Sequence, residues 1–260
     1  MSCKFYFLNV GYGCCTVIKW NEKAIVVDCK KGDKNSGEDN VIDYLPSSEI
    51  EILVITHPHK DHFDGVSEIF EKNINIKEVW LSPYEMMKED KETDSKSYYG
   101  YFNLIDTINN YGIPIKKVSR SKKHLYGSSD ASEMKIFVLN PPVTINQKEG
   151  RTIHDGCIIL KIVTHDKTAI LGADARNETW KVIGEYAPQL LQSDIFYVSH
   201  HGASDGLEKN VFEKINPNII VLSTKIGIYE GIPDSETINY YKSFKNKKLL
   251  RTDECGTIVI

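Results

Sequence analysis

Short apolar runs alternate with polar breaks along the whole chain. Runs rich in β-branched and aromatic residues fall at Lys4–Val10, Thr16–Trp20, Ala24–Cys29, Glu51–Thr56, Glu78–Leu81, Met134–Leu139, Ile158–Val163, Thr168–Gly172, Ile195–Ser199, Ile219–Ser223 and Thr257–Ile260. Most are four to seven residues long and bounded by Gly, Pro, Asn or Asp, which is the pattern of strands. Apolar residues at helical spacing occupy Val66–Lys72, Tyr98–Tyr111, Arg176–Tyr186, Leu207–Ile215 and Ser235–Phe244. Early strands are joined by short turns such as Lys19–Lys23 and predict an antiparallel meander, whereas later strands alternate with helices. Two sheets with peripheral helices fit this order better than a doubly wound sheet. The polar stretches Lys30–Asn40 and Lys88–Lys96 read as surface loops, and one domain spanning residues 1–260 is expected.

Composition narrows the class without naming a chemistry. Hydrophobic residues make up 41% and charged residues 26%, as in an ordinary globular chain, and the net charge of -4 argues against a generally basic nucleic-acid coat. The six cysteines form no Cys-x-x-Cys pair, so they read as small buried hydrophobes in a reducing compartment. The opening apolar run is broken at Asn9 and Gly11, too early for a signal peptide, and no run approaches the ~18 apolar residues of a membrane span. A cytoplasmic protein without a membrane segment is the expectation.

The histidines change the picture. Of eight, three lie in Thr56-His57-Pro58-His59-Lys60-Asp61-His62, directly after the apolar run Ile52–Ile55. Residues two apart on an extended segment share a side, so His57 and His59 can converge on one point. Pro58 keeps that segment extended. A turn through Asp61 to Gly65 can then bring Asp61 and His62 to a second point nearby. Imidazoles suit zinc and carboxylates also accept manganese, so four such ligands split by a turn point to two adjacent metal ions.

His57-x-His59-x-Asp61-His62 is the pattern of the metallo-β-lactamase superfamily, and the chain resembles that superfamily over almost its whole length. It is most similar to the hydrolase domain of ComEC-type competence proteins and their free-standing relatives. Asn9-Val10-Gly11-Tyr12-Gly13 resembles their D-V-G-Q-G, and Val26-Val27-Asp28 their strand-ending aspartate. Ala169–Asp174 resembles L-L-x-G-D, Val198–Ser204 resembles H-H-G-S, and Leu250–Ile258 resembles Y-R-T-D-x-x-G-x-I. The resemblance implies an α/β fold, a four-layer αββα sandwich with a metal site at one edge of the paired sheets.

The resemblance also implies roles. His57 and His59 would hold the first metal, Asp61 and His62 the second, and Asp174 would bridge both. His200 or His201 would complete the second metal's shell. Sequence does not choose between them; His200 is ranked first as ligand, and His201 is given a supporting or proton-donating role. Asp28 would orient a ligand histidine. His154 falls roughly where the superfamily's third-motif histidine does, and is expected as a ligand of the first metal. His124 and His165 read as solvent-facing. The chain departs from its relatives at Asn9, at Cys14-Cys15 where they often carry acidic and small residues, and at Ile232 where they carry a histidine.

The expected activity is that of a dinuclear metallohydrolase, with zinc first and manganese as the alternative, whose cations lower the pKa of a shared water. The subgroup favours a phosphodiester, in nucleic acid or a nucleotide-like molecule. Ser82–Lys123 would form a lid or binding wall, with the basic stretch Lys116–His124 as a possible nucleic-acid contact. Tyr98, Tyr99, Tyr101 and Phe102 are read as helix packing ahead of base stacking. The alternatives are hydrolysis of a phosphocholine ester or lactone, and a non-catalytic scaffold subunit on the same fold.

Overall fold

In the computed structural model, which describes residues 3–46, 49–127, 134–206 and 208–260, two mixed sheets pack face to face between layers of helix. The first sheet is built from β1 (Lys4–Phe7), β2 (Cys15–Trp20), β3 (Lys23–Cys29), β4 (Glu49–Ile55), β5 (Asn75–Ile76), β6 (Val79–Leu81) and β7 (Ile115–Lys117). The second contains β8 (Lys135–Asn140), β9 (Ile159–Val163), β10 (Thr168–Leu171), β11 (Ile195–Tyr197), β12 (Ile219–Leu222) and β13 (Lys248–Arg251). Finally, β14 (Ile258–Val259) returns to pair with β1.

The two sheets follow one plan. β1, β2 and β3 form an antiparallel meander, after which β4, β6 and β7 add in parallel. Likewise β8, β9 and β10 are antiparallel, and β11, β12 and β13 add in parallel. The parallel strands need crossover connections, and helices supply several of them. These are α1 (Val66–Glu71), α2 (Lys88–Thr93), α3 (Ser95–Asn110), α4 (Asn177–Tyr186), α5 (Lys209–Ile215) and α6 (Ser235–Ser243), with a last turn α7 (Thr252–Cys255).

Strand alternation distributes the apolar residues into three buried layers. Ile25 and Val27 of β3, Ile52 and Val54 of β4, and Leu171, Tyr197 and Val221 of the second sheet fill the space between the sheets. Val26, Leu53 and Ile55 point the other way, onto Val66 and Ile69 of α1 and Leu104 and Ile108 of α3. Ile170, Phe196 and Ile220 pack on Trp180 and Ile183 of α4, Phe212 of α5 and Tyr241 of α6. The central strands are therefore covered on both faces, which is why Ile52–Ile55 reads as an unbroken apolar run. The layers run helix, sheet, sheet, helix, as expected from the resemblance.

Several elements differ from the sequence pattern. Lys88–Thr93, read as loop, is the helix α2, stopped by Asp94, whose side chain accepts from the Ser97 N–H and starts α3 at Ser95 rather than Tyr98. The strands β5, β7 and β13 went unmarked because they are short or lysine-bearing, and β7 and β13 lie at sheet edges. The expected helix from Leu207 starts at Lys209, and Leu207 itself lies outside the described residues. Cys255 is exposed, unlike the other five cysteines, because it sits in the last helical turn. Among the described residues no helix is long and apolar enough to cross a membrane.

Trp180 ties the outer helical layer to the second sheet. It is fully buried, and its indole N–H lies 2.9 Å from the Gly206 carbonyl and 3.1 Å from Ser199 Oγ. Trp180→Ala is expected to lower stability by about 3–5 kcal/mol in urea unfolding. Trp180→Phe keeps most of the packing and loses only the donor, so a cost of about 1–2 kcal/mol is expected. Equal losses in the two variants would show that packing is not the main contribution.

Candidate metal centre

Five chain segments meet at one edge, where the parallel strands end. β4 ends at Ile55 and runs into Thr56-His57-Pro58-His59; a 3₁₀ turn over Lys60–His62 comes next. β10 ends at Leu171 and leads to Asp174, β11 ends at Tyr197 and leads to His200 and His201, and Asp28 lies at the end of β3. The fifth segment, Thr152–Cys157, brings in His154. Carboxyl ends of parallel strands are where α/β sheets place their ligands.

The backbone here is held in uncommon conformations. Asp28, Ala173, His200 and His201 have φ of 56°, 44°, 51° and 50°. Left-handed backbone costs a non-glycine residue of order 1–3 kcal/mol and persists where the surroundings over-determine it. One such constraint is visible beside Asp174. A Cβ on Gly172 would collide with Ser199 Oγ, so only glycine lets the β10 and β11 ends approach this closely. The Ser199 hydroxyl donates to the Gly172 carbonyl at 3.1 Å and closes the contact.

Asp174 is the centre of the cluster. Its Oδ2 lies 3.6 Å from His57 Nε2 and 3.9 Å from His154 Nε2, and its Oδ1 lies 3.4 Å from His62 Nε2 and 3.7 Å from His201 Nε2. The two oxygens thus divide the rings between them. Donor atoms of His57, His59, His154 and Asp174 all lie within 4.8 Å of one another, and so do those of Cys14, His62, Asp174 and His201. Asp61 borders the second group, with Oδ2 at 3.3 Å from His201 Nε2 and 3.7 Å from His62 Nε2.

A further layer of contacts aims the rings. Buried Asp28 accepts from the Thr56 N–H and the Thr56 hydroxyl, both at 2.8 Å, and its Oδ2 lies 2.7 Å from His62 Nδ1. A proton on that Nδ1 leaves Nε2 to face Asp174. In the same way, the Ser223 carbonyl lies 3.2 Å from His201 Nδ1. His62 Nε2, His201 Nε2 and Asp174 Oδ1 are buried with no hydrogen-bond partner in the protein. Buried polar atoms are rarely left so. Inward-facing nitrogens and a carboxylate oxygen are the donor set that a divalent cation would satisfy, so these residues fit metal ions.

Electrostatics divide the rings in the same way. Burial pushes His57 and His59 below the usual imidazole range and His154 down to about 3, more than Asp174 can offset. Burial acts on His62 and His201 too, but nearby carboxylates, Asp174 first, hold both well above that range. Burial alone would raise Asp61, yet the rings of His62 and His201 hold its carboxyl down at about 2. The three first rings favour the neutral, metal-binding form; cations on the other side would displace protons.

The two neighbouring histidines after β11 point different ways, and the one that the sequence ranks second as a ligand is the one that faces the cluster. His201, not His200, turns its Nε2 onto Asp61 and Asp174. His200 turns aside: its Nδ1 lies 2.7 Å from Asp205 Oδ1 and its ring packs on His154 at 4.7 Å. The cause is the left-handed turn at both residues, which breaks the alternation of an extended strand. Cys14 was not foreseen among the donors, although its place where relatives carry an acid was the available signal. Tyr12 was not foreseen either; its ring lies 4.3 Å from that of His201 and 4.6 Å from that of Tyr229. Of the aromatic residues on α3, Tyr101 packs on Phe63, while Tyr99 and Phe102 are exposed.

No protein-family model and no curated protein matches this sequence. Solved structures do resemble it. The metallo-β-lactamase fold protein YhfI from Bacillus subtilis aligns with a TM-score of 0.61 at 13% identity, over 100% of this chain and 99% of that one. Human tRNase Z, short form, aligns at 0.57 and 10% identity, over 100% and 98%. CmlA, a diiron β-hydroxylase from Streptomyces venezuelae, aligns at 0.65 and 14% identity, over 100% of this chain but 54% of that one. The chain has the metallo-β-lactamase fold, and at its edge lies a His/Asp cluster able to bind divalent metal.

Asp28→Ala would leave the Thr56 N–H and His62 Nδ1 without their acceptor. The expected result is zinc affinity lower by about 10–100-fold, the cost of removing the group that orients a ligand histidine. Competition with a chromophoric chelator measures it, and a change below about twofold would show that Asp28 does not orient the site.

Proposed function

We propose that this protein is a dinuclear metal-dependent hydrolase acting on a phosphodiester, in nucleic acid or a nucleotide-like molecule. The observation that carries the reading is the division of Asp174, whose two oxygens face two separate sets of donors. His57, His59 and His154 would hold one cation with Asp174, and His62, His201 and Asp61 the other, with zinc as the first candidate and manganese the second. Two cations so held supply Lewis acidity and a water acidic enough to attack an ester at neutral pH.

The remaining work falls to side chains. Asp28 and the Ser223 carbonyl keep His62 and His201 aimed inward. His200, held by Asp205 and set against His154, would donate a proton to a leaving oxygen, the role that the resemblance suggested for His201. Tyr12 and Tyr229 lead from His201 into an open cleft of 450 Å³ lined by Ile226, Tyr229, Ile232 and Arg251. That size suits a nucleotide-sized group. Ile232 makes this wall more apolar than the histidine that ComEC-type relatives carry there.

The phosphodiester assignment rests on the resemblance to ComEC-type hydrolase domains, and the likeness to tRNase Z agrees with it. Lys116–His124 adds a basic surface, leaving the sheet edge where the Val118 N–H meets the Leu81 carbonyl and continuing beside β8. Arg120 and Lys122 both lie over the Tyr186 ring, at 4.6 and 5.0 Å, a cationic and aromatic pairing that suits single-stranded nucleic acid.

The test is a substrate screen with zinc and with manganese. Bis-p-nitrophenyl phosphate and single-stranded DNA are the phosphodiesters; a phosphocholine ester and a lactone are the competitors. Turnover of the phosphodiesters is expected, with kcat/KM about 1,000-fold lower in Asp61→Ala and Asp174→Ala, because losing a cation removes several kcal/mol of charge stabilisation. Exclusive turnover of the competitors would overturn the substrate class. Metal binding without any turnover would favour a non-catalytic scaffold.

A further inference from the structure

Cys14 stands apart from the other cysteines. Its side chain is buried, and its sulfur lies within 4.8 Å of the donor atoms of His62, Asp174 and His201. Among the described residues Cys3, Cys15, Cys29 and Cys157 are also buried, yet none of them joins a grouping of this kind. A buried thiol by itself indicates only packing. Here the same three neighbours present His62 Nε2, His201 Nε2 and Asp174 Oδ1, all buried and without a hydrogen-bond partner.

The position of Cys14 is set by the site itself. Its N–H donates to the Asp61 carbonyl at 3.0 Å, and its own carbonyl accepts from the Lys30 N–H at 3.0 Å. The Ser223 hydroxyl donates to the Gly13 carbonyl at 2.8 Å, tying the same turn to the residue that holds His201. Gly13, at φ 133°, brings the chain so close that a Cβ there would lie 2.5 Å from the Asp61 carbonyl oxygen. The sulfur is therefore delivered by backbone contacts to segments that already carry site residues.

We infer that Cys14 is a sulfur donor to the cation held by His62, Asp174 and His201. The inference rests on the proposed metal binding and adds that the two metal positions differ in kind. One has nitrogen and oxygen donors only; the other gains a thiolate. On binding, the S–H electron pair becomes the sulfur–metal bond and the proton leaves to solvent. Thiolate favours zinc and cobalt over manganese and magnesium, so this position selects a softer ion.

Reduced full-length protein loaded with cobalt(II) tests this directly. The expected spectrum has a near-ultraviolet sulfur-to-cobalt charge-transfer band, absent in Cys14→Ser and retained in Cys3→Ser. Zinc affinity at one of the two positions should fall at least on the order of tenfold in Cys14→Ser, since losing even a group behind a ligand costs that much. Manganese affinity should change by less than about twofold. X-ray absorption at the zinc edge of the wild-type protein needs no substitution, and should show a sulfur shell at about 2.3 Å. Two bound cobalt ions with no band and no sulfur shell would overturn the role of Cys14 and leave the metal reading standing. Failure of the wild-type protein to bind either ion would overturn both.

Discussion

A carboxylate buried among imidazoles is the constraint on which the rest of this structure turns. Asp174 is 3% exposed, and an isolated ionised carboxylate in such surroundings is costly enough to neutralise unless paired. Four rings approach it, two on each oxygen, and two of them carry raised proton affinity because of it. Protons and a divalent cation would compete for the same inward-facing nitrogens. The site is thus an arrangement whose charge must be completed, and the scaffold is what keeps the groups from relaxing apart.

That scaffold works through strand order. Each sheet begins as a meander and ends in parallel strands, so the carboxyl ends of β3, β4, β10 and β11 collect along one edge. The apolar layers behind them fix the strands, and the left-handed residues at their ends redirect the chain over a few ångströms. Trp180 connects these levels, because its indole holds the Ser199 hydroxyl that in turn meets the Gly172 carbonyl beside Asp174. A core side chain on a helix therefore has a direct bearing on the placement of the carboxylate at the centre of the cluster.

The legible part of this arrangement was the part encoded locally. Alternation on an extended segment placed His57 and His59 together, and the apolar run before them marked a doubly covered strand. Asp174 stood out as an acid at the end of such a run. The choice between His200 and His201 was not legible, since both adopt positive φ and the period-two rule stops applying there. Cys14 was legible only as a departure from the resemblance: it meets His62, Asp174 and His201 across long sequence separations, through backbone contacts that leave no pattern of their own. The polar helix α2 shows the same limit, because Lys88–Thr93 has no apolar stripe to reveal its period.

A fold shared at so low an identity sets where chemistry happens and leaves open which chemistry it is. The discriminating features must be those that this chain adds to the frame. Two stand beside each other at His201: the thiol of Cys14 on its buried side, and the rings of Tyr12 and Tyr229 leading outward. The thiol would act on the softness of a bound ion, and the rings on the polarity beside it. The half formed by His57, His59 and His154 keeps an ordinary nitrogen and oxygen set. The two halves of the cluster thus differ in their surroundings, and the aromatic rings of Tyr12 and Tyr229 stand only beside the half that holds His201.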